Sequence, residues 1–367
     1  MMRRIALIVG DTPGHFYPAL SVADAYARAE PATETLLLGP PGGVAARLAH
    51  THGCRYEPIA GAPWVGAGVR GKLVAAAQTV RAIATARRAL RTHGTRVVIG
   101  FGGYVSGAVI LAARSLGLRT VIHEANVWPG VANRWLGRAV HRVYLNFAAA
   151  GRHFPSDRQL VVGWPVRRDI IALAREPRVP PSPARPARIL VMEGASRATD
   201  FLCRRGAAVL ARVASRGLPI EVRHQHAVGD GERVAAEYAR AGIRANVAAY
   251  LDSVADAYRW ADFAIVRAGA GVLAELAVAG LPALLVPVAD AAEDHQLLNA
   301  RTFAESGGAI WICEDAWDSD ALGAKLYALL RDPEAWALAS AGARRFAKAD
   351  AADRVVADCE NTMRGRW

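Results

Sequence analysis

Val9-Gly10-Asp11-Thr12-Pro13-Gly14-His15-Phe16-Tyr17-Pro18-Ala19-Leu20 is the stretch whose reading decides the fold. The apolar residues 5–9 enter it, and a helical pattern over residues 18–29 leaves it. A strand, a glycine-containing turn and a helix start, in that order, open an α/β unit. Such a turn aims backbone N–H groups and the positive end of a helix dipole outward, which suits an anionic group. His15 is expected inside the turn, where its imidazole can reach a bound molecule. The spacing G-x-G-x-x-G is absent, so a dinucleotide fingerprint is not supported, and an ordinary βα turn explains the stretch as well.

Working outward, the same alternation repeats. Residues 35–39, 96–100 and 120–124 read as strands, 72–91 and 108–116 as helices, and 59–70 as a glycine-rich loop. Strands separated by helices predict a doubly wound parallel sheet whose ligands sit at the C-terminal ends of the strands. The loops at 10–15, 100–107 and 123–130 occupy such positions. Five prolines within residues 177–186 predict an extended linker. Beyond it, residues 188–192, 220–225, 261–266 and 282–287 read as strands and 272–279 as a helix. A chain of 367 residues is long for one core. The expected division is an N-terminal domain at 1–165, a linker at 166–186, a C-terminal domain at 187–345, and a last helix at 346–367 packing back on the N-terminal domain.

The composition, 53% hydrophobic and 21% charged, describes a folded chain and excludes disorder. The net charge of +12 is unevenly placed. Residues 1–176 hold 22 Lys and Arg against 9 Asp and Glu, whereas residues 177–367 hold 23 against 24. No Asp or Glu occurs from position 58 to 123. The first half therefore calls for an anionic partner. Within it, Lys72, Leu73, Val80, Arg81, Arg87 and Arg88 lie on a basic amphipathic pattern that suits an anionic membrane surface, or a solvated helix face. The uncharged run 97–113 carries four glycines and is too short to span a bilayer. Four scattered cysteines without a C-x-x-C pair predict reduced thiols of a cytosolic protein and no metal site. Met1-Met2-Arg3-Arg4 is followed by only five apolar residues, too few for a signal-peptide core.

Thr12-x-Gly14-His15-x-x-Pro18 resembles the first glycine loop of the MurG family, with Pro13 where the family has a further glycine. Gly100-x-Gly102-Gly103-Tyr104-Val105-Ser106-Gly107 is similar to its second loop, and His123-Glu124-Ala125-Asn126 to its His-Glu-Gln-Asn segment. Pro165-Val166-Arg167 resembles its Asn-Pro-Val-Arg segment, with Trp164 for the Asn. In the second half the resemblance continues through Arg267-x-Gly269-Ala270, Glu275, Ala279-Gly280-Leu281-Pro282-Ala283 and Asp294-His295-Gln296-x-x-Asn299-Ala300. The ordered set covers essentially the whole chain.

The resemblance implies a GT-B fold, two Rossmann-like doubly wound domains with a cleft between them. It implies an inverting glycosyltransferase, cytoplasmic and peripheral on the inner face of the cell membrane. The expected reaction moves N-acetylglucosamine from UDP-N-acetylglucosamine onto a polyprenyl-diphosphate-linked acceptor, lipid I. Neither a cofactor beyond the UDP-sugar donor nor a metal is expected, and no nucleic acid. By the same resemblance Thr12, Gly14, Gly102, Gly103, Tyr104 and Asn126 bind the acceptor. His15 is the candidate base, because its side chain titrates near neutrality, and Glu124 is the second candidate. Arg167, Ala195, Ser196, Arg197, Ala270, Gly271 and Val272 would hold the donor diphosphate. Leu251 would lie beside the uracil, Glu275 would take the ribose hydroxyls, and His295 and Gln296 the sugar.

Departures from the family pattern concentrate in the donor half. Its Gly-Gly-Ser-x-Gly-Ala loop is here Glu193-Gly194-Ala195-Ser196-Arg197-Ala198, which puts a repulsive carboxylate beside a diphosphate, with Arg197 available to offset it. Its Ser-Gly-Ala-Leu-Thr turn is Ala268-Gly269-Ala270-Gly271-Val272, without the Thr hydroxyl. Three readings stay open: the cell-wall enzyme itself, a paralogue using another UDP-sugar or lipid acceptor in glycolipid or antibiotic assembly, and a non-catalytic protein that binds a lipid diphosphate or a partner.

Overall fold

The computed structural model describes residues 3–61, 69–194, 200–226, 231–289 and 294–363. Ala195, Ser196 and Arg197 lie outside them, as do the side chains of Lys72 and Leu73. The chain divides into two compact units, Met1–Arg167 with Asp350–Trp367, and Arg168–Ala349.

Among the described residues, the first unit has seven parallel strands: β1 Arg4–Ile8, β2 Glu34–Gly39, β3 Tyr56–Pro58, β4 Val97–Gly100, β5 Arg119–Glu124, β6 Arg142–Leu145 and β7 Gln159–Val161. They lie in the order β3-β2-β1-β4-β5-β6-β7. Parallel strands covered by helices on both faces must be apolar where they are buried, and β1 is from Ile5 to Ile8. Its Ala6 and Ile8 pack with Val105, Val109 and Ile110, while Ile5 and Leu7 pack on the opposite face with Phe16, Val22 and Tyr26. Strand order reverses between β1 and β4, which pair from Ile5 with Val97 to Ile8 with Gly100. That reversal places a crevice at the C-terminal ends of these two strands.

The helix Ala351–Met363 completes this unit. Val355, Val356 and Cys359 join the core beside helix Pro13–Ala29. Asp358 accepts both Arg142 Nε at 3.1 Å and Nη2 at 3.2 Å, and the Tyr144 hydroxyl at 2.9 Å.

In the second unit the described strands are β8 Ala187–Met192, β9 Ile220–Gln225, β10 Arg244–Ala248, β11 Phe263–Val266, β12 Ala283–Leu285 and β13 Ala309–Trp311, in the order β10-β9-β8-β11-β12-β13. This is the same winding, with its reversal between β8 and β11. Ile189, Val191, Leu210, Tyr238, Phe263 and Trp336 form its core.

Three expectations change. The proline-rich segment is no free tether, because it is docked on the second unit. There Arg178 donates to the Tyr258 carbonyl at 2.9 Å and Arg185 holds Asp262 through bonds of 2.6 and 2.8 Å. Phe346 also stays with the second unit, its ring 5.1 Å from Phe303, so the returning helix starts only at Ala351. The first helix begins at Pro13, not near Pro18, since a proline with its fixed φ suits the first helical position. His15 is therefore in the first helical turn rather than in a loop.

Candidate active site

At the crevice of the first unit, two glycine turns meet face to face. A Cβ on Gly103 would lie 2.6 Å from Gly10 Cα, so only glycines permit this approach. Gly102 and Gly103 also take φ of 108° and 92°, the left-handed region that side chains disfavour. The His15 ring lies against both turns: a Cβ on Gly10 would meet its Nδ1 at 2.4 Å, and one on Gly102 its Nε2 at 2.9 Å. Thr12 Oγ1 and His15 Nδ1 share a hydrogen bond of 3.0 Å, which orients the ring and leaves Nε2 as its other reactive nitrogen. Burial lowers the imidazole pKa from 6.5, so the ring is neutral at pH 7 and able to accept a proton.

Thr12 begins the helix but makes no side-chain bond to its first amides. Asp11, which sequence reasoning left without a role, turns its Oδ1 to the Ala45 N–H at 3.1 Å and so caps the neighbouring helix Gly43–Thr51. Tyr104 is 46% exposed beside these turns. Arg167, assigned to the donor by resemblance, belongs to the first unit, its guanidinium 4.6 Å above the ring of Tyr17 on the His15 helix.

Glu124 ends β5 and is buried. Its Oε1 accepts the Asn126 N–H and its Oε2 the Asn133 amide, both at 2.8 Å. Burial pushes its pKa up to about 7, outweighing the hydrogen bonds that lower it. This inward placement suits holding the turn of residues 125–133, and with it Asn126, rather than taking a proton from a ligand. Asn133 was missed because a lone Asn in a helical pattern carries no signal of its partner. Trp164, where the family has Asn, packs edge-on against the buried His123 at 4.9 Å, and His123 Nε2 donates to the Gly163 carbonyl at 2.7 Å.

In the second unit, Ala270, Gly271 and Val272 form the first turn of helix Ala270–Ala279, two residues earlier than expected. Gly269 precedes it, supplies no side-chain cap, and no acid lies in the first turn. Glu275 on that helix accepts the buried Tyr258 hydroxyl at 2.9 Å, which fixes the carboxylate direction. His295 and Gln296 open helix His295–Ala304, and Gln296 Oε1 accepts the Val288 N–H at 3.1 Å. Leu251 is half-buried just after β10. Glu193 does not stand free as a repulsive carboxylate. It is buried, and its partners include Arg267 and the Leu202 N–H.

The basic helix of the sequence reading is Val69–His93. Ala82, Ala86 and Leu90 are buried, whereas Val80, 68% exposed, Arg81 and Arg88 face outward. Arg87 turns instead to the Ser115 hydroxyl on the adjoining helix Ser106–Ser115. Sequence reasoning missed the exposed Leu111, Val131 and Trp135 on this helix and the next, Val131–Leu136. Arg134 and Arg152 sit over the Trp128 ring at 5.4 and 5.9 Å, and Arg138 over Trp135 at 5.8 Å. Among the described residues, no helix is long and apolar enough to cross a membrane, and no cluster of His, Cys, Asp and Glu could hold a metal.

Two doubly wound units, each with one reversal of strand order, define a two-domain Rossmann-like α/β class of fold. Residues 5–145 match the glycosyltransferase family 28 N-terminal domain and residues 188–355 its C-terminal domain. Over 100% of the chain and 98% of the relative, it is 39% identical to the UDP-N-acetylglucosamine–N-acetylmuramyl-(pentapeptide) pyrophosphoryl-undecaprenol N-acetylglucosamine transferase of Nitratidesulfovibrio vulgaris. The Aeromonas hydrophila protein of the same name is 36% identical over 100% of the chain and 99% of its own length. A crystal structure of Acinetobacter baumannii MurG superposes with a TM-score of 0.78 at 26% identity, covering 98% of this chain and 99% of that one. The chain belongs to the MurG family of glycosyltransferases, with the GT-B fold.

Proposed function

We propose that the protein transfers N-acetylglucosamine from UDP-N-acetylglucosamine to a lipid-linked muramyl pentapeptide diphosphate. The observation that carries this reading is His15 seated between the glycine turns of β1 and β4, in a chain alignable end to end with transferases of that name. Glycine turns and a helix start offer N–H groups to the acceptor diphosphate. His15 Nε2 takes the proton of the acceptor hydroxyl as that oxygen attacks the anomeric carbon from the face opposite UDP, which inverts the centre. Glu124 holds Asn126 in place. In the donor half, Glu275 takes the ribose hydroxyls, the amides at 270–272 the diphosphate, and His295 with Gln296 the sugar. Arg167 steadies the His15 helix through Tyr17. No metal is required by these steps.

The basic half works at an anionic membrane face, with Val80, Leu111, Val131 and Trp135 entering the interface and the arginines beside them meeting headgroups. That makes the enzyme peripheral on the inner membrane surface.

The test is UDP release from UDP-N-acetylglucosamine with a lipid I analogue, for the wild type and His15→Ala. The variant should lose roughly 10²–10⁴-fold in kcat. The acid limb of kcat/KM in the wild type should fall below pH 6.5, the ordinary value that burial lowers. A folded wild type without transfer, or a His15→Ala enzyme at full rate, sinks the reading.

A further inference from the structure

We infer that the Glu193 carboxylate is a resident anion at the start of the helix that follows β8, Phe201–Ala214, and that it positions Arg267 for the neighbouring turn at Gly269–Ala270. Glu193 follows β8 directly, on the strand where the order of the sheet reverses, and Gly194 after it takes φ of 90°. In doubly wound folds this is where a phosphate meets the start of the following helix. Here the protein's own carboxylate meets it. Glu193 is 2% exposed and Oε2 accepts the Leu202 N–H at 2.7 Å, in the first turn of helix Phe201–Ala214. Oε1 accepts Arg267 Nη2 at 2.8 Å and Nε at 3.1 Å.

Arg267 is itself 4% exposed. Its Nη1 donates to Glu314 Oε1 at 2.7 Å and to the Val286 carbonyl at 3.2 Å. One guanidinium thus ties together the chain leaving β8, β11, β12 and β13. Arg267 is thus committed to two carboxylates, Glu193 and Glu314. At the N-terminus of helix Ala270–Ala279, among the described residues, Gly269 gives no side-chain cap and the helix's own first turn has no acid. The donor diphosphate is received there, two residues beyond Arg267, in a loop whose path the buried ion pair sets. The Glu193 substitution, which looks like damage to a phosphate loop, is a built replacement for one of its anion contacts.

The decisive measurement is thermal unfolding of the wild type and Glu193→Gly in rising inorganic phosphate at constant ionic strength. The variant should unfold at a lower temperature, and phosphate should raise its midpoint by more than that of the wild type, because the vacated position adds one anion site in the folded state to those both proteins share. Equal responses, or none in the variant, overturn the proposal. If Glu193→Gly does not fold, Glu193→Gln decides. Keeping one acceptor but losing the charge, it should raise the donor KM about tenfold with kcat and acceptor KM unchanged. Glu193→Asp should recover part of that loss, and an unaltered donor KM in Glu193→Gln overturns the proposal. The KM comparison rests on the transferase reading; the phosphate titration does not, so a wild type without transfer would end that reading and leave this one to the titration.

Discussion

Each unit carries an acid in its first βα turn, and the two acids are aimed in opposite ways. Asp11 turns away from its own turn to cap the helix Gly43–Thr51, leaving the start of helix Pro13–Ala29 to Thr12, Gly14 and His15. Glu193 turns onto its own helix and onto Arg267. The same winding therefore leaves the glycine-lined turn of the first unit clear of its acid, and in the second ties the acid to the following helix and to Arg267. One turn is left to meet an outside anion, the other supplies its own. The fold sets where a ligand can bind, and single side chains at the strand ends decide whether that place stays available.

The largest effect should come from closing the open turn. Gly103→Ala puts a methyl 2.6 Å from Gly10 Cα, backbone against backbone, at a φ of 92°. Backbone strain and overpacking together should cost roughly 3–5 kcal/mol and abolish transfer, read by thermal unfolding and UDP release. A soluble, active Gly103→Ala would show that the two turns do not need their close approach.

Next is Glu124, whose acid is raised from 4.5 to about 7 by burial. Between those values the folded protein holds a proton that the unfolded chain has released, so this group's contribution to stability falls as pH rises from about 5 to 8. Glu124→Gln removes that slope. The stability of the variant relative to wild type should improve by about 3 kcal/mol from pH 5 to pH 8, whatever its constant loss of one acceptor. A difference independent of pH would mean that the carboxylate is not desolvated in solution.

The central strands were legible because parallel strands buried on both faces must be continuous apolar runs, as in residues 5–9 and 189–192. The strands that escaped notice are mostly peripheral. β3 ends on Pro58, β10 reads Arg-Ala-Asn-Val-Ala, and β7 and β13 are three residues long, so none has enough buried length to impose a pattern. β6 is the exception: its Val143, Tyr144 and Leu145 are buried, but four residues between arginine-rich turns were too short to stand out. Of the candidate site, glycines, His15 and Glu275 were readable as chemistry. What could not be read is which way a carboxylate points. Glu193 looked like a repulsive neighbour of a diphosphate and Glu124 like a base, and both owe their placement to partners that no local pattern marks, Arg267 74 residues on and Asn133 nine residues on.

Thr12→Val tests how the open turn orients its histidine. It removes the hydrogen bond to His15 Nδ1 while keeping the volume. The loss should be about 1 kcal/mol, a fall in kcat of about fivefold, with donor KM unchanged. An unaltered kcat would mean that the glycine walls alone hold the ring.

A change of similar size should separate backbone conformation from packing. Gly194 takes φ of 90°, within two degrees of Gly103, but among the described residues nothing lies within 4 Å of the Cβ it lacks. Gly194→Ala should therefore incur only the left-handed strain, about 1–2 kcal/mol, with hydrogen exchange raised in β8 and β11 and unaltered in β1 and β4. The difference between the two alanine variants then isolates the contact between the glycine turns from the conformation both glycines share. Should the two variants lose equal stability, conformation would account for both, and the close approach of Gly10 and Gly103 would be a consequence of the fold rather than a feature the open turn depends on.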